Sequence, residues 1–117
     1  MDHWIRATVH SWRGLCAALR SEMAFREELA ALVIAVPLAF LIADESWKRF
    51  LLVGVIVLIL VVELLNTALE KLADHVSREN DIEIGRVKDM GSAAVGLSML
   101  LAGIAWMLAL AQFFGLR

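Results

Sequence analysis

Residues 61–74 read VVELLNTALEKLAD, and the reading of this stretch decides the fold. It closes an apolar run, Phe50 to Val62, of thirteen residues without a charge. Glu63, Asn66, Glu70 and Asp74 then follow in quick succession. At about 100° per residue of helix, Glu63, Glu70 and Asp74 lie within about 40° of one another. Asn66 and Thr67 flank them on the same side, so the polar groups form one stripe. At about 1.5 Å per residue the uncharged run covers only about 20 Å of a hydrocarbon core about 30 Å thick. If the run crosses a bilayer, Glu63 sits inside it or at its edge. A charge at that depth costs about 2.5–3.5 kcal/mol on insertion scales. A metal ion, a basic partner, or protonation of the carboxylate would offset it.

Composition supports a bilayer. The chain has 117 residues, 61% of them hydrophobic, and a mean hydropathy of +0.75. Soluble domains hold about 45–50% apolar residues. The thirteen acidic and eleven basic residues fall almost entirely outside three apolar blocks. These are Leu29–Ala43, the run from Phe50 described above, and Met90–Leu116. His3, Arg6, His10, Arg13 and Arg20 interrupt the first twenty residues, so no secretory h-region is evident. Insertion is expected through the uncleaved apolar blocks. Cys16 stands alone and excludes an intrachain disulfide; it reads as a small apolar residue on a helix face.

Ahead of the blocks, Ile5, Val9, Trp12, Cys16, Leu19 and Met23 recur in steps of three and four. His3, Arg6, His10 and Arg13 keep the same rhythm on another face. This pattern predicts a helix lying in the membrane interface. The expected fold is an all-α membrane protein in one domain, residues 1–117. It has a surface helix over about 4–26 and spans over about 28–45, 50–70 and 91–114. Pro37 is tolerable within the first span, and Trp47 is an interfacial anchor. Eight basic residues lie ahead of the first span or between the second and third, and three on the other side: Lys48, Arg49 and Arg117. The positive-inside rule therefore puts the N-terminus and the 70–89 return loop in the cytoplasm. The C-terminus would be periplasmic. Gly85 and Gly91 punctuate that loop, while Ser92, Gly96 and Gly103 form a small-residue face for helix packing.

Glu22, Glu27 and Glu28 precede the first span, so they can converge on the stripe. Carboxylates from two helices suit Mg²⁺, which takes oxygen ligands and shares them with substrate phosphates. Lys88 could meet phosphate oxygens, with Asp89 beside it. There is no Walker A sequence, protein-kinase signature or Cys/His zinc cluster. His3, His10 and His75 are dispersed and read as surface residues.

These residues resemble the prokaryotic diacylglycerol kinase family. The matching pieces are SWRGL (11–15), EMAFREE (22–28), VELLNTALEKLAD (62–74) and GRVKDMGSAA (85–94), in the family's order and spacing. The resemblance implies a homotrimer in a bacterial inner membrane, with three spans and a surface helix per subunit. It implies transfer of the γ-phosphate of Mg-ATP to diacylglycerol, giving phosphatidic acid. Partners would be ATP, the lipid alcohol, membrane lipids and further copies of the chain, with no nucleic acid. By the same resemblance Glu63 is the general base, and Glu22 and Glu70 hold nucleotide-bound Mg²⁺. Lys88 meets the phosphates and Asp89 lies on the nucleotide side. Glu79, Asn80 and Asp81 approach the nucleotide, and His10 stands where the family has a tyrosine, on the adenine side. Arg26, Glu28, Asn66 and Ser92 line the lipid pocket or support the site.

The physics is compatible with those roles. Phosphoryl transfer needs positioning and charge neutralisation more than covalent chemistry. A lipid alcohol stays at the interface while ATP stays in water. Their meeting point is where a membrane helix leaves the bilayer. Two other readings keep the helices: an undecaprenol kinase of the same fold, and a non-catalytic helix bundle whose acidic stripe pairs subunits.

Overall fold

The computed structural model describes residues 2–76 and 81–116. Four helices follow in order: α1 His3–Ser21, α2 Met23–Ile42, α3 Ser46–Val76 and α4 Ile82–Phe113. Among the described residues there is no strand. α3 and α4 are each long and apolar enough to cross a membrane. At 31 and 32 residues, each would be about 45 Å long or slightly more, so both can project beyond a 30 Å core. α2 begins with Arg26, Glu27 and Glu28 in its first turns, and is uncharged only from Leu29 onward.

α3 and α4 form an antiparallel pair, and four cross-contacts show its register. Lys88 pairs with Asp74, and Gly91 faces Asn66. The Trp106 indole donates to the Leu52 carbonyl at 3.0 Å. Lys48 donates to Gln112 near the far end. The buried positions of α4 are Gly91, Ser98 and Ala102, spaced by seven and four, as a helix seam requires. α2 packs along α3 through small residues: Ala39, Ala43 and Leu52 are buried together. α1 folds back onto the same pair, with Ala18, Phe25 and Leu60 forming a third contact.

Three details depart from the sequence reading. The surface helix stops at Ser21 rather than about residue 26. Glu22 is extended (φ −116°, ψ 112°), and Met23 begins α2. Most of the expected 70–89 return loop is helical: α3 runs on to Val76, and α4 starts at Ile82, N-capped by the Asp81 carboxylate. Gly85 and Gly91 therefore lie inside α4, not in a loop. Finally, the close approach of α4 to α3 uses Gly91, not the Ser92–Gly96–Gly103 face. Ser92 is exposed, and a methyl group added at Gly96 or Gly103 would meet nothing within 4 Å.

The single chain is open. Its radius of gyration is 17.4 Å, against about 13 Å for a compact domain of this length. Large apolar side chains such as Ile34, Phe40, Leu97, Leu100 and Met107 face outward.

Candidate active site

The acidic stripe forms because α3 does not stop where its apolar run stops. Residues 63–76 continue the same helix, and their good helix formers, Leu, Ala, Glu and Lys, favour that continuation. Glu63 is half-buried, Asn66 is half-buried and Glu70 is exposed, in a row along one face. Asn66 donates from Nδ2 to Glu70 Oε1 at 3.0 Å.

α2 contributes the second wall. Glu28 is half-buried, with Oε1 fully buried and unpartnered. It lies close enough to Glu63 for their charges to oppose each other, and Glu63 in turn feels Glu70 and Glu22. Glu22 reaches this neighbourhood from the elbow between α1 and α2, where its backbone N–H donates to the Ala18 carbonyl at 2.9 Å. The elbow is held by Arg26. Its guanidinium Nη1 donates to the carbonyls of Leu19 (2.8 Å) and Arg20 (3.2 Å). Those carbonyls at the end of α1 have no partners in their own helix, and a cation there also suits the helix dipole.

Four carboxylates thus gather with no basic side chain within ion-pair distance among the described residues. Nor do any three His, Cys, Asp or Glu side chains form a ready metal cage among those residues. The donor set is oxygen only and short of a full shell. That fits a hard divalent cation arriving with phosphate ligands of its own rather than one caged by protein alone.

Beside the cluster, Lys88 of α4 donates to Asp74 of α3. An open groove of about 510 Å³ runs between α1 and α3, lined by small and apolar residues with Ser11, Ser21, Thr67 and Lys71. It abuts the stripe at Thr67.

Glu22, Glu28, Glu63, Asn66 and Glu70 therefore share one neighbourhood, and Lys88 stands next to it. Other sequence-predicted residues lie apart within the chain. His10, Asp89 and Ser92 are exposed. Asp81 accepts from the Glu83 and Ile84 N–H groups at 2.8 and 3.4 Å, so its carboxylate caps α4. Glu79 and Asn80 lie outside the described residues. Two contacts lie beyond what the sequence pattern shows: Asp74 of the stripe pairs with Lys88, and Gly91, which the pattern places in the return loop, faces Asn66 from within α4.

An all-helical membrane protein with a carboxylate cluster where an apolar helix emerges is the class this geometry defines. The chain belongs to the prokaryotic diacylglycerol kinase family, whose model matches residues 9–110. It is 40% identical over 111 residues to diacylglycerol kinase of Escherichia coli strain K12, covering 95% of this chain and 91% of that one. The diacylglycerol kinase of Pseudomonas aeruginosa is 39% identical over 102 residues, 87% of this chain and 83% of that one. That of Haemophilus influenzae is 35% identical over 106 residues, 91% and 90%.

Proposed function

We propose that this protein is a lipid kinase that moves the γ-phosphate of Mg-ATP to diacylglycerol and releases phosphatidic acid. The observation that carries the reading is the uncompensated cluster of Glu22, Glu28, Glu63 and Glu70 at the point where α3 outruns its apolar segment. Carboxylates left without cations suit a site completed by a metal–nucleotide complex. Family membership and the names of the relatives support the same chemistry.

In this reading Glu63 accepts the proton of the lipid hydroxyl as that oxygen attacks the γ-phosphorus, and the bond from that phosphorus to the β,γ-bridging oxygen breaks, so that ADP leaves. Partial removal from water makes a carboxylate a better proton acceptor. Glu22 and Glu70 would hold Mg²⁺, which neutralises charge on the transferred phosphoryl group when bound. Lys88, in the same neighbourhood, is the group available to phosphate oxygens. The groove between α1 and α3 offers apolar walls for acyl chains, with Thr67 near the stripe for a polar head. α2, α3 and α4 are the three spans, α1 lies in the interface, and the acidic end faces the cytoplasm of a bacterial inner membrane. The outward apolar surface of the open chain suits lipid and two further copies in a trimer. In such a trimer His10, Asp89 and Ser92, exposed in one chain, are free to complete a neighbour's site.

The test uses purified protein in mixed micelles with labelled Mg-ATP, offering diacylglycerol and undecaprenol separately. Label in diacylglycerol is expected. Label mainly in undecaprenol reassigns the substrate, and label in neither removes the kinase reading.

A further inference from the structure

The backbone of α4 packs tightly against the acidic stripe at Gly91, and the atom it faces is Asn66 Oδ1. A Cβ built at Gly91 would overlap that oxygen and lie 2.9 Å from Leu69 Cδ2. No real side chain fits there without displacing Asn66. The carboxamide is held from both sides. Its Nδ2 donates to Glu70 Oε1 at 3.0 Å. Its Oδ1 is buried with no conventional donor. A carboxylate only accepts, so the NH₂ end has to face Glu70 and the oxygen has to face Gly91. At Gly91 the oxygen faces a backbone that carries no methyl group to collide with it. Elsewhere in α4 the glycines have no such duty: Gly85, Gly96 and Gly103 each have open space where a Cβ would go.

We propose that Gly91 is a positioning residue for the phosphoryl-transfer site: it admits the Asn66 carboxamide into the α3–α4 seam, and Asn66 in turn holds the Glu70 carboxylate in place. The proposal rests on the kinase reading and deepens it by assigning Asn66 to Glu70 rather than to the lipid. Glu70 is exposed, and a glutamate on a solvated helix face samples several rotamers. Asn66 selects one of them, and Gly91 prevents Asn66 from swinging away. If Glu70 grips the nucleotide's cation, losing that orientation should weaken Mg-ATP and leave the lipid alone.

The experiment compares the native protein with Gly91→Ala, Asn66→Ala and the double variant as detergent-solubilised oligomers. It measures KM for Mg-ATP, KM for diacylglycerol and kcat, with oligomer size by size-exclusion chromatography. Gly91→Ala and Asn66→Ala should each raise the Mg-ATP KM at least about tenfold, as expected for losing a hydrogen bond to a charged group. The diacylglycerol KM should stay at its native value. The double variant should be no worse than Asn66→Ala, because removing the carboxamide empties the space the new methyl group needs. Should Gly91→Ala fail to assemble, Asn66→Ala and the double variant still decide. A native Mg-ATP KM in Asn66→Ala, or a further loss in the double variant, overturns the proposal. So does a native Mg-ATP KM in an assembled Gly91→Ala. A native protein that labels no lipid and binds no Mg-ATP removes the kinase reading, and this inference with it. Label in diacylglycerol together with an unchanged variant KM overturns the inference alone.

Discussion

The two ends of the α3–α4 pair are built on opposite plans. At the end carrying residues 43–49, Glu45, Trp47, Lys48 and Arg49 have partners. Lys48 meets Gln112 and Glu45, the Trp47 indole donates to Glu45 at 2.6 Å, and Arg49 donates to the Ala43 carbonyl at 2.8 Å. Arg49 also lies over the Phe40 ring at 4.6 Å. This network closes the turn between α2 and α3 and ties α4 to it. At the other end Glu22, Glu28, Glu63 and Glu70 have no cation among the described residues, and one Glu28 oxygen is buried without a partner. Gathering like charges costs stability unless something arrives to compensate. One end uses its polar groups to hold the helices, while at the other Glu22, Glu28 and Glu63 gather without a cation among the described residues, as the proposed ligand site requires.

That contrast is broken most directly at Glu63. Glu63→Gln keeps the size and removes the carboxylate proposed to accept the proton. In the micelle assay it should lower kcat by about 10²–10⁴-fold, the usual worth of a positioned general base. The elution volume on size-exclusion chromatography should match that of the native protein. Near-native turnover would leave Glu63 without its role. Glu70→Gln comes next. If this carboxylate holds the nucleotide's cation, transfer should fall by more than about a hundredfold. Turnover should then become steeply dependent on total Mg²⁺; an unchanged Mg²⁺ dependence would move the cation elsewhere. A smaller effect is expected at Asp74→Asn, which removes the partner of Lys88. Both groups are more than a third exposed, so the pair is worth at most about 1 kcal/mol. The Mg-ATP KM should rise roughly two- to fivefold. A collapse of activity would mean that Asp74 contacts the reacting groups itself.

Much of this was legible in the chain. The stripe from Glu63 to Asp74 follows from helical spacing and the length of one apolar run, and the structure keeps it on one continuous helix. What stayed hidden depends on contacts distant in sequence. The apolar rhythm of α1 runs through Met23, and its one glycine, Gly14, lies eight residues ahead of Glu22, so nothing local marks the break there. The break is stabilised by Arg26 reaching back to Leu19 and Arg20. Gly91 reads locally as punctuation, but its duty is set by Asn66, a residue of another helix. The Asp81 carboxylate caps α4, a contact its residue type allows because Asp is among the preferred N-caps. The exposure of Ser92, Gly96 and Gly103 in one chain could not be read from their spacing, because small-residue spacing does not say which neighbour will come close.

The paired end supplies the complementary test. Trp106 joins two of the buried clusters, and its indole donates across the seam to the Leu52 carbonyl. That carbonyl is also available to its own helix as an acceptor, so losing the indole donor does not orphan it. Trp106→Phe should therefore cost only about 0.5–1.5 kcal/mol, plus the smaller ring's lost packing. It should appear as a lower unfolding temperature in detergent, with both KM values and kcat at native levels. Trp106 and Gly91 lie fifteen positions apart on one helix, so their phenotypes separate the two plans. One shifts stability and spares kinetics, and the other shifts nucleotide affinity. If Trp106→Phe altered the Mg-ATP KM as Gly91→Ala is expected to, the seam would act as one coupled unit, and the division between a holding end and a reacting end would fail.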